Sequence, residues 1–223
     1  MKTFQIKLFK GHPIIKEGEN IILIDTGAPS TIHSSDSLTF CSTNYICSTN
    51  YMGMTVSKIS EMLGSEITTL LGADILSNYK TLFDYKNSVI EFNNQEIEFE
   101  GTEVEISNFM GIPVIEMSIN NQKLKFFLDT GAKLSYLSNS ITSNYVSIGT
   151  DEDFYPGVGK FETDCFEIST RFGNTDFIVK YGNLPPLLQM TLMLGGTNGI
   201  IGFDFFSNFK IALDLKNNKL KYA

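Results

Sequence analysis

Apolar and polar residues alternate with period two through most of this chain, the pattern of half-buried strands. Thr3–Ile14 (TFQIKLFKGHPI) and Thr102–Val114 (TEVEISNFMGIPV) both alternate, and both carry a Gly-x-Pro, at Gly11/Pro13 and Gly111/Pro113. They read as hairpin or edge strands broken at the proline. Glu17-Gly18-Glu19-Asn20 and Ile119-Asn120-Asn121-Gln122-Lys123 read as hairpin turns. Each leads into a continuous apolar run, Ile21–Ile24 and Phe126–Leu128, as expected of a buried strand. Val56–Leu63 (VSKISEML) predicts a short helix. Tyr155–Ile168 predicts a glycine-entered β-hairpin with its tip near Glu162–Asp164. Asp176–Tyr181 reads as a strand, Leu184-Pro185-Pro186 as a loop, and Gly195–Gly199 as a flexible approach. Strand signals dominate, so the fold is expected to be mainly β with few short helices.

The alternation repeats at long range. Leu70-Leu71-Gly72-Ala73-Asp74-Ile75-Leu76 aligns with Ile200-Ile201-Gly202-Phe203-Asp204-Phe205-Phe206. Without a gap, Ser77–Phe92 then aligns with Ser207–Tyr222, each reading as a helical turn, a strand, a Lys-Asn turn and a strand. The boundary is expected near Glu100–Thr102, giving halves 1–101 and 102–223. Their middles differ: Gly131 to Gly202 spans 71 positions against 45 from Gly27 to Gly72, about 26 more.

Composition narrows the class. At 223 residues, 42% hydrophobic and 19% charged, the chain can build a sizeable core. A net charge of −8 with no Lys/Arg cluster argues against nucleic acid as a partner. No apolar run approaches a membrane span. The alternating start, Met1–Leu8, lacks the apolar centre of a signal peptide. The expectation is therefore a cytoplasmic protein, or a secreted or periplasmic one if a leader has been removed. Three cysteines, Cys41, Cys47 and Cys165, are too few for a disulfide scaffold. Free thiols are the default, with a Cys41–Cys47 bridge as the alternative.

The candidate chemistry sits at the ends of the two apolar runs. Ile24-Asp25-Thr26-Gly27-Ala28 is followed by Thr31, and Leu128-Asp129-Thr130-Gly131-Ala132 by Ser135. Two such words in equivalent places, each followed by an apolar-apolar-Gly word, resemble the aspartic proteases, more the retropepsin than the pepsin type. The resemblance spans nearly the whole chain. It implies an acid-protease fold, a closed barrel of two lobes related by a pseudo-two-fold axis and fused in one chain. Two carboxylates ~3 Å apart cannot both ionise, so Asp25 and Asp129 would share one proton and activate water between them. The resemblance further implies that Thr26 and Thr130 bond across the axis. Gly27 and Gly131 would let amides approach the carboxylates, and Gly72 and Gly202 would support the loops from beneath. Ala28 and Ala132 stand where pepsin-like enzymes usually carry Ser in at least one lobe. With fewer donors to the ionised form, the pH optimum is expected to be less acidic than in pepsins.

The longer second half suggests a single flap there, with Lys160, Phe161, Glu162, Thr163 and Asp164 as candidate substrate contacts. The implied partner is a peptide or protein with apolar residues around the scissile bond, and the enzyme would act as a monomer. No cofactor and no metal are expected: His12 and His33 are the only histidines and make no metal-site spacing. Both read as ordinary polar residues, and Asp74, Asp84, Asp204 and Asp214 as structural ones. The alternative functions are a peptide-binding pseudoprotease and a scaffold with a merely structural repeat.

Overall fold

A computed structural model of the chain describes residues 1–155 and 158–223. Pro156 and Gly157, which the sequence places at the entry of the second-half hairpin, lie outside the described residues. The chain is predominantly β. Strands β1 (Lys2–Gln5), β2 (Lys7–Phe9), β3 (His12–Glu17) and β4 (Asn20–Ile24) lead to the first Asp-Thr-Gly. Then come β5 (Ile32–His33), β6 (Ser37–Phe40), β7 (Thr43–Ile46), helix α1 (Val56–Leu63), β8 (Thr69–Leu71), α2 (Ala73–Leu76), β9 (Lys80–Asp84) and β10 (Val89–Asn93). Strands β11 (Thr102–Glu105), β12 (Ser107–Phe109), β13 (Ile112–Ile119) and β14 (Gln122–Leu128) lead to the second. After it run β15 (Ser135–Leu137), α3 (Asn139–Thr142), β16 (Gly149–Tyr155), β17 (Gly159–Phe172) and β18 (Thr175–Asn183). The chain closes with α4 (Pro186–Leu194), β19 (Gly199–Ile201), α5 (Phe203–Asn208), β20 (Ile211–Asp214) and β21 (Lys219–Tyr222).

Three sheets position the site. The first has the order β2-β3-β4-β8-β5. The second has the order β12-β13-β14-β19-β15-β18-β17-β16, and a further pairing, Ser118 with Arg171, joins β13 to β17 and curls the sheet closed. In both, the strand before Asp-Thr-Gly is paired in parallel with the strand before the later glycine: Ile24 with Leu71, Leu128 with Ile201. These strands are covered on both faces, which is why they read as apolar runs rather than alternations. The hairpin between β13 and β14 turns on Asn120 and Asn121, both left-handed (φ 50° and 63°), matching strand twist.

The third sheet, β1-β10-β9-β20-β21-β11, takes three strands from each half. Its seam is β9 against β20, from Lys80↔Asp214 to Phe83↔Ile211. Asp84 and Asp214 accept bonds from Asn87 and Asn217 in their own turns. Each also pairs at 3.3 Å with a lysine of the other half, Lys210 and Lys80. Burial would raise both carboxyls, but the asparagine and lysine contacts outweigh it and hold them below the usual range.

The helices follow local signals. Thr55 caps α1, accepting from the Lys58 amide, and Gly64 ends it at φ 76°. Val56, Ile59 and Leu63 face the core. The expected loop at Leu184-Pro185-Pro186 instead runs directly into α4. Pro186 occupies its first turn, where the missing amide costs nothing, and Leu188 and Leu192 face inward four residues apart. The predicted hairpin tip also moves. β16 and β17 pair from Gly149↔Cys165 to Tyr155↔Gly159, so Glu162 and Asp164 lie in mid-strand opposite Glu152 and Thr150. They are the outward members of an alternating strand, while Thr163 and Cys165 point in. All three cysteines are free. Among the described residues, no helix is long and apolar enough to cross a membrane.

Candidate active site

The two Asp-Thr-Gly turns meet face to face. The Thr26 amide donates to Thr130 Oγ1 and the Thr130 amide to Thr26 Oγ1, both at 3.0 Å. Each hydroxyl then donates to a carbonyl of the opposite strand, Thr26 to Leu128 at 2.7 Å and Thr130 to Ile24 at 2.8 Å. Four reciprocal bonds, between threonines 0% and 1% exposed, fix the two loops to each other.

That clasp brings the carboxyls together. The Gly27 amide donates to Asp25 Oδ1 at 2.9 Å and the Gly131 amide to Asp129 Oδ1 at 2.8 Å. The Asp25 and Asp129 side chains are neighbours and act electrostatically on each other. A methyl at Gly27 would sit 2.2 Å from the Asp129 carboxyl carbon, and one at Gly131 2.5 Å from that of Asp25. Each glycine thus makes the notch that holds the other loop's carboxylate.

Beneath the loops, the Gly72 amide donates to Thr31 Oγ1 and the Gly202 amide to Ser135 Oγ, at 3.0 and 3.1 Å. The carbonyls of Ala28 and Ala132 accept from Ala73 and Phe203, the first amides of α2 and α5. A Cβ at Gly72 or Gly202 would clash with backbone, at 2.7 Å from the Ser30 carbonyl carbon and 2.2 Å from the Ala132 oxygen. The halves differ one step further out. Asp74 grips the Thr31 amide and hydroxyl, whereas Asp204 accepts from the Lys180 amide of β18.

Burial pushes both carboxyls above the ordinary carboxylate range, and the Asp25 charge adds to the rise at Asp129. Backbone amides of Gly27, Ala28, Gly131 and Ala132 pull the other way. Two such groups in contact hold one proton between them and titrate as a unit.

The end of the β16–β17 hairpin comes up to the pair. Tyr155, at its end, lines a slot of about 30 Å³ with Gly27, Asp129, Ile112 and Leu188. Its phenol is pushed up to about 12 by burial and by the charges of Asp129 and Asp25. The five candidate contacts 160–164 are placed elsewhere and none lines this slot. Lys160 borders an outer groove with α1, Phe161 packs on Tyr136, and Thr163 bonds the Asn183 backbone. Glu162 and Asp164 face solvent. The reason is the displaced tip: the ladder runs to Tyr155↔Gly159, so Tyr155, not residue 162, comes up to the carboxyls. The signal was Tyr-Pro-Gly-Val-Gly itself, a turn word ahead of the strand. Sequence reasoning also passed over Leu184, Leu188 and Leu192, which wall the slot from α4 and its approach.

A buried polar tie helps hold the hairpin down, beside the Lys133 contacts to Asp151 and the Glu152 carbonyl. The buried Tyr136 hydroxyl, on β15, donates to Asp153 of β16, and the Phe154 amide donates to the other carboxyl oxygen at 2.8 Å. Tyr136→Phe leaves that buried carboxyl short of a donor, so stability should fall by about 1–3 kcal/mol. Thermal melting beside the wild type checks this; an unchanged midpoint refutes it.

No family model matches the chain, and no curated protein matches it. Among solved structures it is similar to a retropepsin-like aspartic protease from Rickettsia conorii, with 19% identity and a TM-score of 0.39. That match covers 57% of this chain and 95% of the other.

Proposed function

We propose that the protein is an aspartic endopeptidase, with Asp25 and Asp129 the catalytic pair, one from each half (1–101 and 102–223), acting as a monomer. The observation that carries this is reciprocal: each carboxyl rests in the glycine notch of the other's loop, locked by the threonine clasp. The ionised carboxyl takes a proton from water as its oxygen attacks the peptide carbonyl carbon. The protonated one gives its proton to the carbonyl oxygen. In the collapse of the tetrahedral diol the carbon–nitrogen bond breaks and the leaving nitrogen takes a proton back. The β16–β17 hairpin is the single flap, excluding water above the pair. With the hairpin lifted, an apolar side chain beside the scissile bond packs against Ile112, Phe127, Leu188 and Ile200.

The test is digestion of a denatured protein with and without pepstatin, reading new termini by mass spectrometry. Pepstatin-sensitive cleavage supports the proposal; binding of peptides without cleavage makes the protein a pseudoprotease instead. Activity requires one proton on the pair, so the rate should be bell-shaped in pH. With both carboxyls raised, the acid limb should lie above that of an ordinary carboxylate. A rate maximum below about pH 3 would contradict it.

A further inference from the structure

His12 and Ile112 occupy equivalent places: Phe9 pairs with His12 in β2–β3, and Phe109 with Ile112 in β12–β13. Ile112 lines the slot beside Asp129. His12 stands at the corresponding place of the first half. The Gly131 carbonyl faces its ring, and the Phe154 ring of the hairpin lies 6.0 Å away, centroid to centroid. The side chain is 3% exposed, and Nδ1 is buried with no hydrogen-bond partner among the described residues. Buried polar atoms are ordinarily paired, so an unpaired one beneath the hairpin's Phe154 asks what pairs it.

The chemistry of the ring says what kind of group that is. Burial, then the charges of Lys133 and Lys10, push its pKa down to about 4 against the pull of the Gly131 carbonyl. The ring is therefore neutral, and in the tautomer that carries its proton on Nε2 the unpartnered Nδ1 offers a lone pair. A lone pair accepts from an O–H or N–H and repels a carboxylate. The two lysines disfavour a cationic donor.

We propose that His12 Nδ1 sets specificity by accepting a hydrogen bond from a neutral donor, hydroxyl or carboxamide, on the substrate side chain seated in the first half. The slot at Ile112 takes an apolar side chain on the other side of the scissile bond. This rests on the peptide-hydrolase reading of the aspartate pair. In the closed arrangement Phe154 fills the space above His12, packed with the first-half core. Substrate entry lifts the hairpin, Phe154 withdraws, and the donor takes its place.

The test uses peptides carrying Thr or Val, and Asn or Leu, at each position flanking the scissile bond. The wild type should prefer Thr over Val at one flank by about tenfold or more, since an unmet buried acceptor discriminates strongly. His12→Ile, which copies the second half, should reverse that preference and leave the opposite flank unchanged. His12→Gln, which keeps an acceptor, should retain part of it. A Thr/Val ratio equal in all three proteins overturns the inference. Calorimetry with the same peptides bearing a reduced, uncleavable bond separates the two readings. A His12-dependent Thr preference in binding without any cleavage keeps the inference and rejects the endopeptidase. Binding without such a preference rejects the inference alone, and no binding of any peptide rejects both.

Discussion

Asp25→Asn or Asp129→Asn should abolish peptide hydrolysis, by on the order of 10⁴-fold, while leaving the protein folded. Each substitution keeps the shape and removes the group that alternates between base and acid in the proposed reaction, so neither proton transfer could be completed. The threonine clasp does not involve these carboxyls and should hold. Stability should change with a definite sign. Both carboxyl pKa values are raised in the folded protein, so their stabilising contribution is present in acid and lost as pH rises through the folded values. An Asn variant escapes that loss. It should melt above the wild type at neutral pH, and the gap should close in acid. Calorimetric scans in acid and at neutral pH read this directly. More than a tenth of wild-type activity in either variant would remove the pair from the chemistry.

The second large effect is structural. Thr130→Val keeps the side-chain shape but deletes one hydroxyl from the clasp. The Thr26 amide then loses its acceptor and the Ile24 carbonyl its donor, both in a region closed to water. Two orphaned groups cost roughly 2–5 kcal/mol, or roughly 5–15 °C of melting temperature in a chain of this size. Activity should fall about a hundredfold, because the carboxyls lose their fixed separation. Thr130→Ser retains the hydroxyl and should recover most of both losses. A Val variant that melts with the wild type would mean the clasp is incidental.

The legible parts of the sequence were those whose cause is local. Ile21–Ile24 and Phe126–Leu128 announced buried strands because both faces are covered. Val56–Leu63 announced a helix, and the structure adds that Thr55 caps it and Gly64 ends it. The turns at Lys86-Asn87 and Lys216-Asn217 were visible for the same reason, and the structure adds why Asp84 and Asp214 precede them. Glu162-Thr163-Asp164, expected at the hairpin tip, is mid-strand, although a polar triplet suits a turn. An exposed strand face is polar too, and only the partner strand tells the two apart. α4 was masked by Pro185-Pro186, whose second proline opens a helix as readily as it breaks one. Tyr155 and His12 lie outside any local pattern. Their places follow from the hairpin folding back over the aspartates and from an unpaired nitrogen, both of which exist only after distant strands meet.

The sheet shared by the two halves has a consequence for how the chain could be divided. β1 pairs with β10 and β11 with β21, so each half completes its own edge, and among the described residues β9–β20 is the one ladder between them. Residues 94–101 contribute no rung. Apart from Phe99, which lies under Lys210 and Lys221, their contribution is then to keep the two halves at an effective concentration on the order of millimolar. A chain severed there would still reassemble through β9–β20 and the threonines. Its activity would rise with the product of the fragment concentrations, and dilution alone would serve as an off-switch.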